Sequence, residues 1–208
     1  KTIMVTFGSC DVGNMTKAVL CLLIKKYPRL NKKIIIGMGF RNKVTLEKLK
    51  DRSTELIYSP DAETMKRLMA SSDIAISAGG QTLYELAKAG VPTVSVAVAK
   101  NQLNNCKAAE YSGFANYAGW HKNKNILKNL QGNLRLLEKE NLRKKLSKRG
   151  SRLIDGTGAL RVVRELMKIF YPSVLYPLNF VSRILYADNL NIHGLAYYSL
   201  KAYQKLFL

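Results

Sequence analysis

The chain has 208 residues, 47% of them hydrophobic, so it is long enough to bury the core of one domain with an appendage. No apolar stretch approaches the roughly 20 residues that a membrane-spanning helix needs, and no signal peptide is visible. The three cysteines, Cys10, Cys21 and Cys106, are odd in number and lack the spacing of a disulfide framework or a metal site. We therefore expect a reduced, cytoplasmic protein without a metal or cofactor.

The formal net charge of +20 is concentrated in one part of the chain. Residues 121–170 contain 14 Lys or Arg against 4 Asp or Glu, which is half of the excess. Such a density attracts phosphates, whether in nucleic acid, in anionic lipid or in a small substrate. Aromatic residues do not alternate with these charges as they do on base-stacking surfaces. We expect no nucleic-acid binding, and peripheral contact with an anionic membrane stays open.

Six short segments, most of them rich in Ile and Val, predict β-strands. Most are apolar on both faces, as is typical of a parallel sheet that helices cover on both sides. The predicted strands are Thr2–Phe7, Lys33–Gly37, Glu55–Tyr58, Asp73–Ser77, Thr93–Val98 and Phe114–Ala118. Helical patterns between them cover Met15–Lys26, Ala62–Ala70, Gln81–Ala89 and Gln102–Tyr111. Strands that alternate with helices predict an α/β fold with a Rossmann-like, doubly wound parallel sheet of about six strands.

After Trp120 the pattern becomes wholly helical and then aromatic. Leucines at three- and four-residue spacing from Leu127 to Leu137 form one helix face, and a last helix is predicted over Ala159–Phe170. Residues 171–208 contain eight Tyr or Phe, and two prolines interrupt their start. We therefore predict a sheet domain with a helical C-terminal extension over residues 1–170. The aromatic-rich tail, 171–208, is a crossing arm, the start of another domain or an interaction segment.

Two consecutive glycines follow the fourth predicted strand. Gly79 and Gly80 allow close approach of the backbone to a ligand, and the first N–H groups of the next helix favour an anion. Glu85 lies one helical turn farther along. The loop with Gly8 and Ser9 follows the first strand, and ligands of such sheets bind beyond the carboxyl ends of the strands. This layout predicts a ligand with phosphates at the helix end and hydroxyls near Glu85.

Three blocks, in this order, resemble the C-terminal half of glycosyltransferase-B-type (GT-B) enzymes. They are VTFGSCDVGNMT from Val5, ISAGGQTLYELAKAGVPTVSVAVAKNQ from Ile76 and DGTGALRVVREL from Asp155. The sequence is most similar to PseG- and SpsG-like UDP-sugar hydrolases of pseudaminic acid and spore-coat polysaccharide biosynthesis, and next to MurG-like glycosyltransferases. The resemblance implies UDP-sugar binding within an enzyme of bacterial surface-glycan synthesis. The hydrolases release UDP from UDP-2,4-diacetamido-2,4,6-trideoxyhexose, whereas the transferases pass a sugar to an acceptor.

The resemblance also implies which residues contact the UDP-sugar. The implied contacts are with the base (Tyr58), the ribose (Glu85), the diphosphate (Gly8, Ser9, Gly79, Gly80, Gln81 and Thr82) and the sugar (Asn101 and Gln102). The hydrolase loop Phe-Gly-Gly-Ser-Asp-Pro reads Phe-Gly-Ser-Cys-Asp-Val here, so its second glycine is missing. Close contact of this loop with phosphate is therefore less strongly implied than contact at Gly79 and Gly80.

The catalytic residues stay unknown at this point. The family's catalytic histidine lies in an N-terminal domain, which we expect this chain to lack because it starts at Lys1 within a strand. His121 and His193 match no catalytic position of the family, and we interpret both as surface or structural residues.

Simpler interpretations of the same residues stay open. Gly79 and Gly80 also suit a simple tight turn, and Glu85 could be a solvated carboxylate on a helix. Gln102, at a helix start, could cap only its own backbone, and Asp11 reads as a loop charge. A rival function of another class is a non-catalytic module whose basic helices dock on an anionic membrane or polymer.

Overall fold

The structure is a computed structural model that describes residues 1–170, so the predicted tail and His193 lie outside the described residues. The chain divides into two compact units, residues 1–156 and 157–208. The described part of the second unit contains one helix, Gly158–Phe170, with an exposed ion pair between Glu165 and Lys168. None of the helices within residues 1–170 combines the length and the hydropathy that a membrane span requires.

A six-stranded parallel sheet in the order β3-β2-β1-β4-β5-β6 forms the centre of the first unit. Its strands are β1 (Thr2–Thr6), β2 (Asn31–Ile36), β3 (Thr54–Tyr58), β4 (Ile74–Ala78), β5 (Thr93–Ala97) and β6 (Ala115–Trp120). The predicted fold class, a doubly wound α/β sheet, is confirmed. All six strands lie within about two residues of their predicted positions.

Helices alternate with these strands and cover both faces of the sheet. They are α1 (Met15–Lys26), α2 (Lys43–Leu49), α3 (Ala62–Ala70), α4 (Gln81–Lys88), α5 (Gln102–Tyr111), α6 (Ile126–Leu136) and α7 (Glu140–Leu153). Helix α2 was not predicted, because it is short and buries only Leu46, so its sequence has no amphipathic pattern.

Successive residues of the central strands pack on opposite faces of the sheet. Ile3 and Val5 of β1 belong to a cluster with residues of α1 and α6, whereas Met4 packs with residues of α3 and α4. The same alternation separates Ile74 and Ile76 from Ala75 in β4. Burial on both faces explains why these strands are continuous apolar runs in the sequence.

A buried lysine near the start of β2 was not predicted. Lys32 is only 1% exposed, and its Nζ donates to the Leu30 carbonyl at 3.0 Å, to Asp51 Oδ2 at 2.9 Å and to Ser53 Oγ at 2.5 Å. These three acceptors compensate for the loss of water around the ammonium group. The Lys32–Asp51 pair thus lies near the amino ends of β2 and β3, at the sheet edge opposite the predicted ligand.

Candidate functional site

The strand order reverses between β1 and β4, which pair in parallel with Thr6 beside Ser77. In open parallel sheets, ligands bind in the crevice outside the carboxyl ends of the strands at such a switch point. Strand β1 leads into the loop that contains Gly8, and β4 leads into Gly79 and Gly80. The structure therefore brings the two predicted glycine segments to neighbouring positions at one edge of the sheet.

The β4–α4 turn presents the start of a helix at this edge. Gly80 is the N-cap of α4, has extended backbone angles and has no side chain that could cap the helix. Gln81 is exposed, and Thr82 and Glu85 are partly exposed on the first turns. The opening N–H groups of α4 are thus available to an anion at the positive end of the helix dipole.

Gly79 is held against the start of α5. Its N–H donates to the Val96 carbonyl at 3.1 Å, and its own carbonyl accepts from Asn105 Nδ2 at 3.1 Å. A Cβ at this position would collide with Cys106 Sγ and lie 3.1 Å from the Gln102 carbonyl oxygen. Gly79 is therefore required by packing between the turn and α5.

Gly80 has more space than Gly79. The nearest atom to a Cβ at Gly80 would be Gln102 Nε2 at 3.7 Å, an ordinary contact with the end of a flexible side chain. Of these two glycines, it is thus Gly80, at the start of α4, that has free space around it.

Alanine substitutions should separate the roles of the two glycines. We expect Gly79→Ala to lower the free energy of unfolding by about 1–3 kcal/mol, because the new methyl group overpacks the contact with Cys106. We expect Gly80→Ala, the matched control, to cost less than about 1 kcal/mol, since the change of N-cap residue is its only penalty. Urea denaturation of the two variants checks this, and equal losses would contradict the packing role of Gly79.

The β1–α1 loop also has free space, at Gly8. Gly8 has φ +77°, and a Cβ there would meet no atom within 4 Å. The Ser9 carbonyl accepts from the Gly39 N–H at 2.9 Å, so the loop rests on the β2–α2 connection. The loop is held in place by its backbone while the surface at Gly8 is left clear.

Asp11, which the sequence suggested to be a loop charge, lies in this loop but is buried and anchors its other end. It is 8% exposed, and both carboxylate oxygens accept from the Thr16 N–H, at 3.1 and 3.2 Å. Burial raises the pKa of Asp11, and the hydrogen bonds from Thr16 offset only part of that rise. The carboxylate thus fixes the first turn of α1.

Gln102 and Asn101 begin α5 beside the glycine turn. The Gln102 Oε1 accepts from the Val98 N–H at 3.1 Å, so this amide closes the β5–α5 loop, while its Nε2 lies near Gly80. Asn101 is exposed and makes no side-chain cap. The Gln102 side chain thus bonds to the backbone of the β5–α5 loop rather than to the first N–H groups of α5, and its amide nitrogen faces the turn.

Tyr58 lies farther away, at the end of β3 on the outer edge of the sheet. Its hydroxyl donates to Glu47 Oε1 of α2 at 2.6 Å, and this bond, followed by burial, raises the pKa of Tyr58. The structure therefore groups Gly79, Gly80 and Gln102, places Gly8 beside them and leaves Tyr58 two strands from β1.

His121 reaches the same edge of the sheet, although sequence patterns placed it at the surface or in a structural role. Its N–H donates to the Ala97 carbonyl at 3.0 Å, and its ring packs edge-on against Trp120 at 4.7 Å. A Cβ on Gly13 of the β1–α1 loop would collide with its Nδ1. Only the fold brings this residue of the β6–α6 connection to the loop after β1. No local sequence signal marks it.

Cys106 and metal binding are two further candidates for chemistry at this edge. Cys106 is buried beneath Gly79, and burial raises the pKa of its thiol, which disfavours the nucleophilic thiolate. Among residues 1–170, no three His, Cys, Asp or Glu side chains are close enough together to bind a metal ion.

Comparison with known proteins gives three informative similarities. The chain is 30% identical over 97 residues to the uncharacterized protein MJ1062 of Methanocaldococcus jannaschii, covering 45% of this chain and 20% of that protein. It is similar in structure to Acinetobacter baumannii MurG, with a TM-score of 0.58 and 19% identity, over 73% of this chain and 45% of the MurG chain. It is also similar to the UDP co-structure of S. aureus MnaA, with a TM-score of 0.62 and 18% identity, over 82% of this chain and 46% of the MnaA chain.

A family match over most of the chain, rather than these similarities, establishes the family. The chain spans a fifth of the length of its archaeal relative and less than half of the two solved structures. At such low identities the solved structures support the fold, which is that of the C-terminal half of a GT-B enzyme. Residues 2–157 match the glycosyltransferase family 28 C-terminal domain over three quarters of the chain. The chain therefore belongs to the family of glycosyltransferase family 28 C-terminal domains.

Proposed function

We propose that the chain binds the UDP part of a UDP-sugar at the carboxyl ends of β1 and β4. One observation carries the proposal: the open Gly8 loop and the Gly80-capped start of α4 lie side by side at the switch point of a family 28 domain. The S. aureus MnaA structure, which has the same fold, contains UDP and supports this choice of nucleotide.

Each part of the nucleotide sugar has a proposed contact in this arrangement. The diphosphate lies at the start of α4 and beside the Gly8–Ser9 loop, where backbone N–H groups and the helix dipole stabilise its charge. Glu85, one turn into α4, accepts hydrogen bonds from the ribose hydroxyls. Tyr58 borders the base, and Asn101 and Gln102 lie nearer the sugar.

The proposed reaction is cleavage of the bond between the sugar and the diphosphate. Backbone donors at α4 stabilise the negative charge that develops on the leaving UDP. A general base from a separate N-terminal domain activates water in a PseG-like hydrolase, or activates a sugar acceptor in a MurG-like transferase. The binding site is the same in both cases, and UDP release with and without an acceptor distinguishes them.

We further propose that residues 1–170 form the nucleotide-sugar domain, that the tail is a separate segment and that the protein is cytoplasmic. The free cysteines of the described residues support the last point.

A second candidate function rests on the basic surface of α7. Exposed cations on this helix include Lys144, Lys145, Lys148, Arg149 and Arg152. Such a surface favours contact with anionic lipid, either as the main function or beside the nucleotide site. Since exposed charges are screened by salt, lipid binding through α7 should weaken steeply as ionic strength rises.

Calorimetric titration with UDP and sedimentation with anionic vesicles, each at low and high salt, test the two functions. We expect saturable UDP binding that persists at high salt and is competed by UDP-N-acetylglucosamine. The absence of UDP binding together with salt-sensitive binding to vesicles would contradict the nucleotide site and favour the basic module.

A further inference from the structure

His121 is held at the carboxyl edge of the sheet by its own backbone. It follows β6 directly, and the hydrogen bond from its N–H to the Ala97 carbonyl ties it to the end of β5. The ring packs edge-on against Trp120 at a centroid distance of 4.7 Å. The imidazole is therefore positioned by a strand end and an aromatic neighbour.

The ring is in contact with the β1–α1 loop through Gly13. A Cβ on Gly13 would collide with His121 Nδ1 and lie 2.9 Å from Cε1, so this edge of the ring faces the loop. Strands β4 and β5 separate β1 from β6 in the sheet. The contact between the two loops thus brings His121 back toward the switch point, where Gly8 and the start of α4 are exposed.

The imidazole is able to donate a hydrogen bond to a ligand. The three ring atoms nearest to a Cβ on Gly13 would be Nδ1, Cε1 and Cγ, so Nε2 is the ring nitrogen farther from this loop. Within residues 1–170, no side chain or backbone group bonds to either ring nitrogen, and the ring is partly exposed. Burial, followed by the charge of Lys122, lowers the pKa of His121, so the ring is neutral at pH 7 and carries a single N–H.

We propose that His121 is a ligand-contacting residue whose Nε2–H donates a hydrogen bond to the outer phosphate of the bound nucleoside diphosphate. The inference rests on the proposed nucleotide site. The inner phosphate lies at the start of α4, and the outer phosphate extends along the β1–α1 loop toward Gly13. His121 then completes a set of donors that otherwise consists of backbone N–H groups.

Binding of UDP and UMP to His121 variants tests this contact. We expect His121→Ala to weaken UDP about tenfold, as for one hydrogen bond to a charged group, and UMP less than twofold, because UMP lacks the outer phosphate. His121→Gln places an amide nitrogen near the position of Nε2 and should recover most of the affinity for UDP. Tyr111→Ala, which removes a 95% exposed aromatic residue from α5, is the control and should change the affinity for neither UDP nor UMP.

Each other outcome overturns the inference in a distinguishable way. One outcome is that the wild-type protein binds UDP, and that Glu85→Ala weakens this binding whereas His121→Ala does not. The nucleotide site then stands and the His121 contact is wrong. Equal losses for UDP and UMP, with a lower melting temperature and no recovery by His121→Gln, mean that His121 has a structural role only. No binding of UDP to wild-type protein overturns the site and the inference together.

Discussion

Asp51→Ala is expected to lower the free energy of unfolding by about 3 kcal/mol. The change removes the carboxylate 2.9 Å from Lys32 Nζ and leaves an ammonium group with a fully buried side chain without its counter-charge. Breaking one side of a buried pair typically costs about 3–5 kcal/mol. We expect the lower end, because Asp51 itself is 27% exposed and water reaches it.

The pH dependence of this effect has a definite sign. Burial raises the pKa of Asp51, but hydrogen bonds from Thr54 and Lys32 and the charge of Lys32 together bring it below its ordinary value. A carboxyl group with a lowered pKa stabilises the fold above its unfolded pKa of about 3.9 and loses that contribution as the pH falls through the folded value. The difference between wild type and Asp51→Ala should therefore be constant near neutral pH and shrink below about pH 4.

A matched control is the exposed pair between Glu63 and Lys66, whose charged atoms are 3.7 Å apart on α3. Glu63→Ala should change the free energy of unfolding by less than about 0.5 kcal/mol, because water screens both charges. Urea denaturation at several pH values measures both variants. A loss below about 1 kcal/mol for Asp51→Ala would show that Ser53 and the Leu30 carbonyl suffice for Lys32.

Glu85→Ala is expected to weaken UDP binding by about 1.5–3 kcal/mol, or roughly tenfold to a hundredfold. The proposed contact joins a charged acceptor to the ribose hydroxyls, and such hydrogen bonds are stronger than neutral ones. The substitution removes the acceptor from the first turns of α4 without changing the N-cap at Gly80. The fold should be retained, because alanine is the best helix-forming residue.

A thermodynamic cycle with 2′-deoxy-UDP makes this test specific for the ribose. If Glu85 accepts from the 2′-hydroxyl, the deoxy ligand and the Glu85→Ala variant should each lose affinity, and the combination should lose less than the sum. Glu140→Ala in the first turn of α7, which removes an equally charged residue outside the site, is the control. Additive losses, or unchanged UDP binding by Glu85→Ala, would remove Glu85 from the site.

The sheet could be predicted from the sequence because its signals are local. The Ile- and Val-rich runs of β1 and β4 are buried on both faces, so they are apolar throughout, and Gly79 and Gly80 mark the strand-to-helix turn without reference to the rest of the chain. The alternation of strands and helices predicts parallel strands, so Gly8 and Gly80 could be assigned to one edge of the sheet, whereas the switch point between β1 and β4 required the strand order of the structure.

What the sequence did not reveal depends on partners that are distant along the chain. Lys32 lies just before the predicted second strand, and its sequence gives no sign that Asp51 and Ser53 surround its ammonium group. Asp11 reads as a loop charge in the sequence, and its burial follows from the way the loop turns back onto α1. His121 is more than 100 residues from Gly13, and only the meeting of the β6–α6 and β1–α1 loops brings them into contact. Such contacts have no local pattern to predict them.

The most direct measurement of the central claim is the change in backbone amide NMR signals on titration with UDP. We expect the largest shifts at Gly8 and at residues 79–85, with little change near Lys32 at the opposite edge of the sheet. Shifts confined to the basic residues 143–152 of α7, with Gly8, Gly80 and Glu85 unaffected, would contradict a nucleotide site at the switch point.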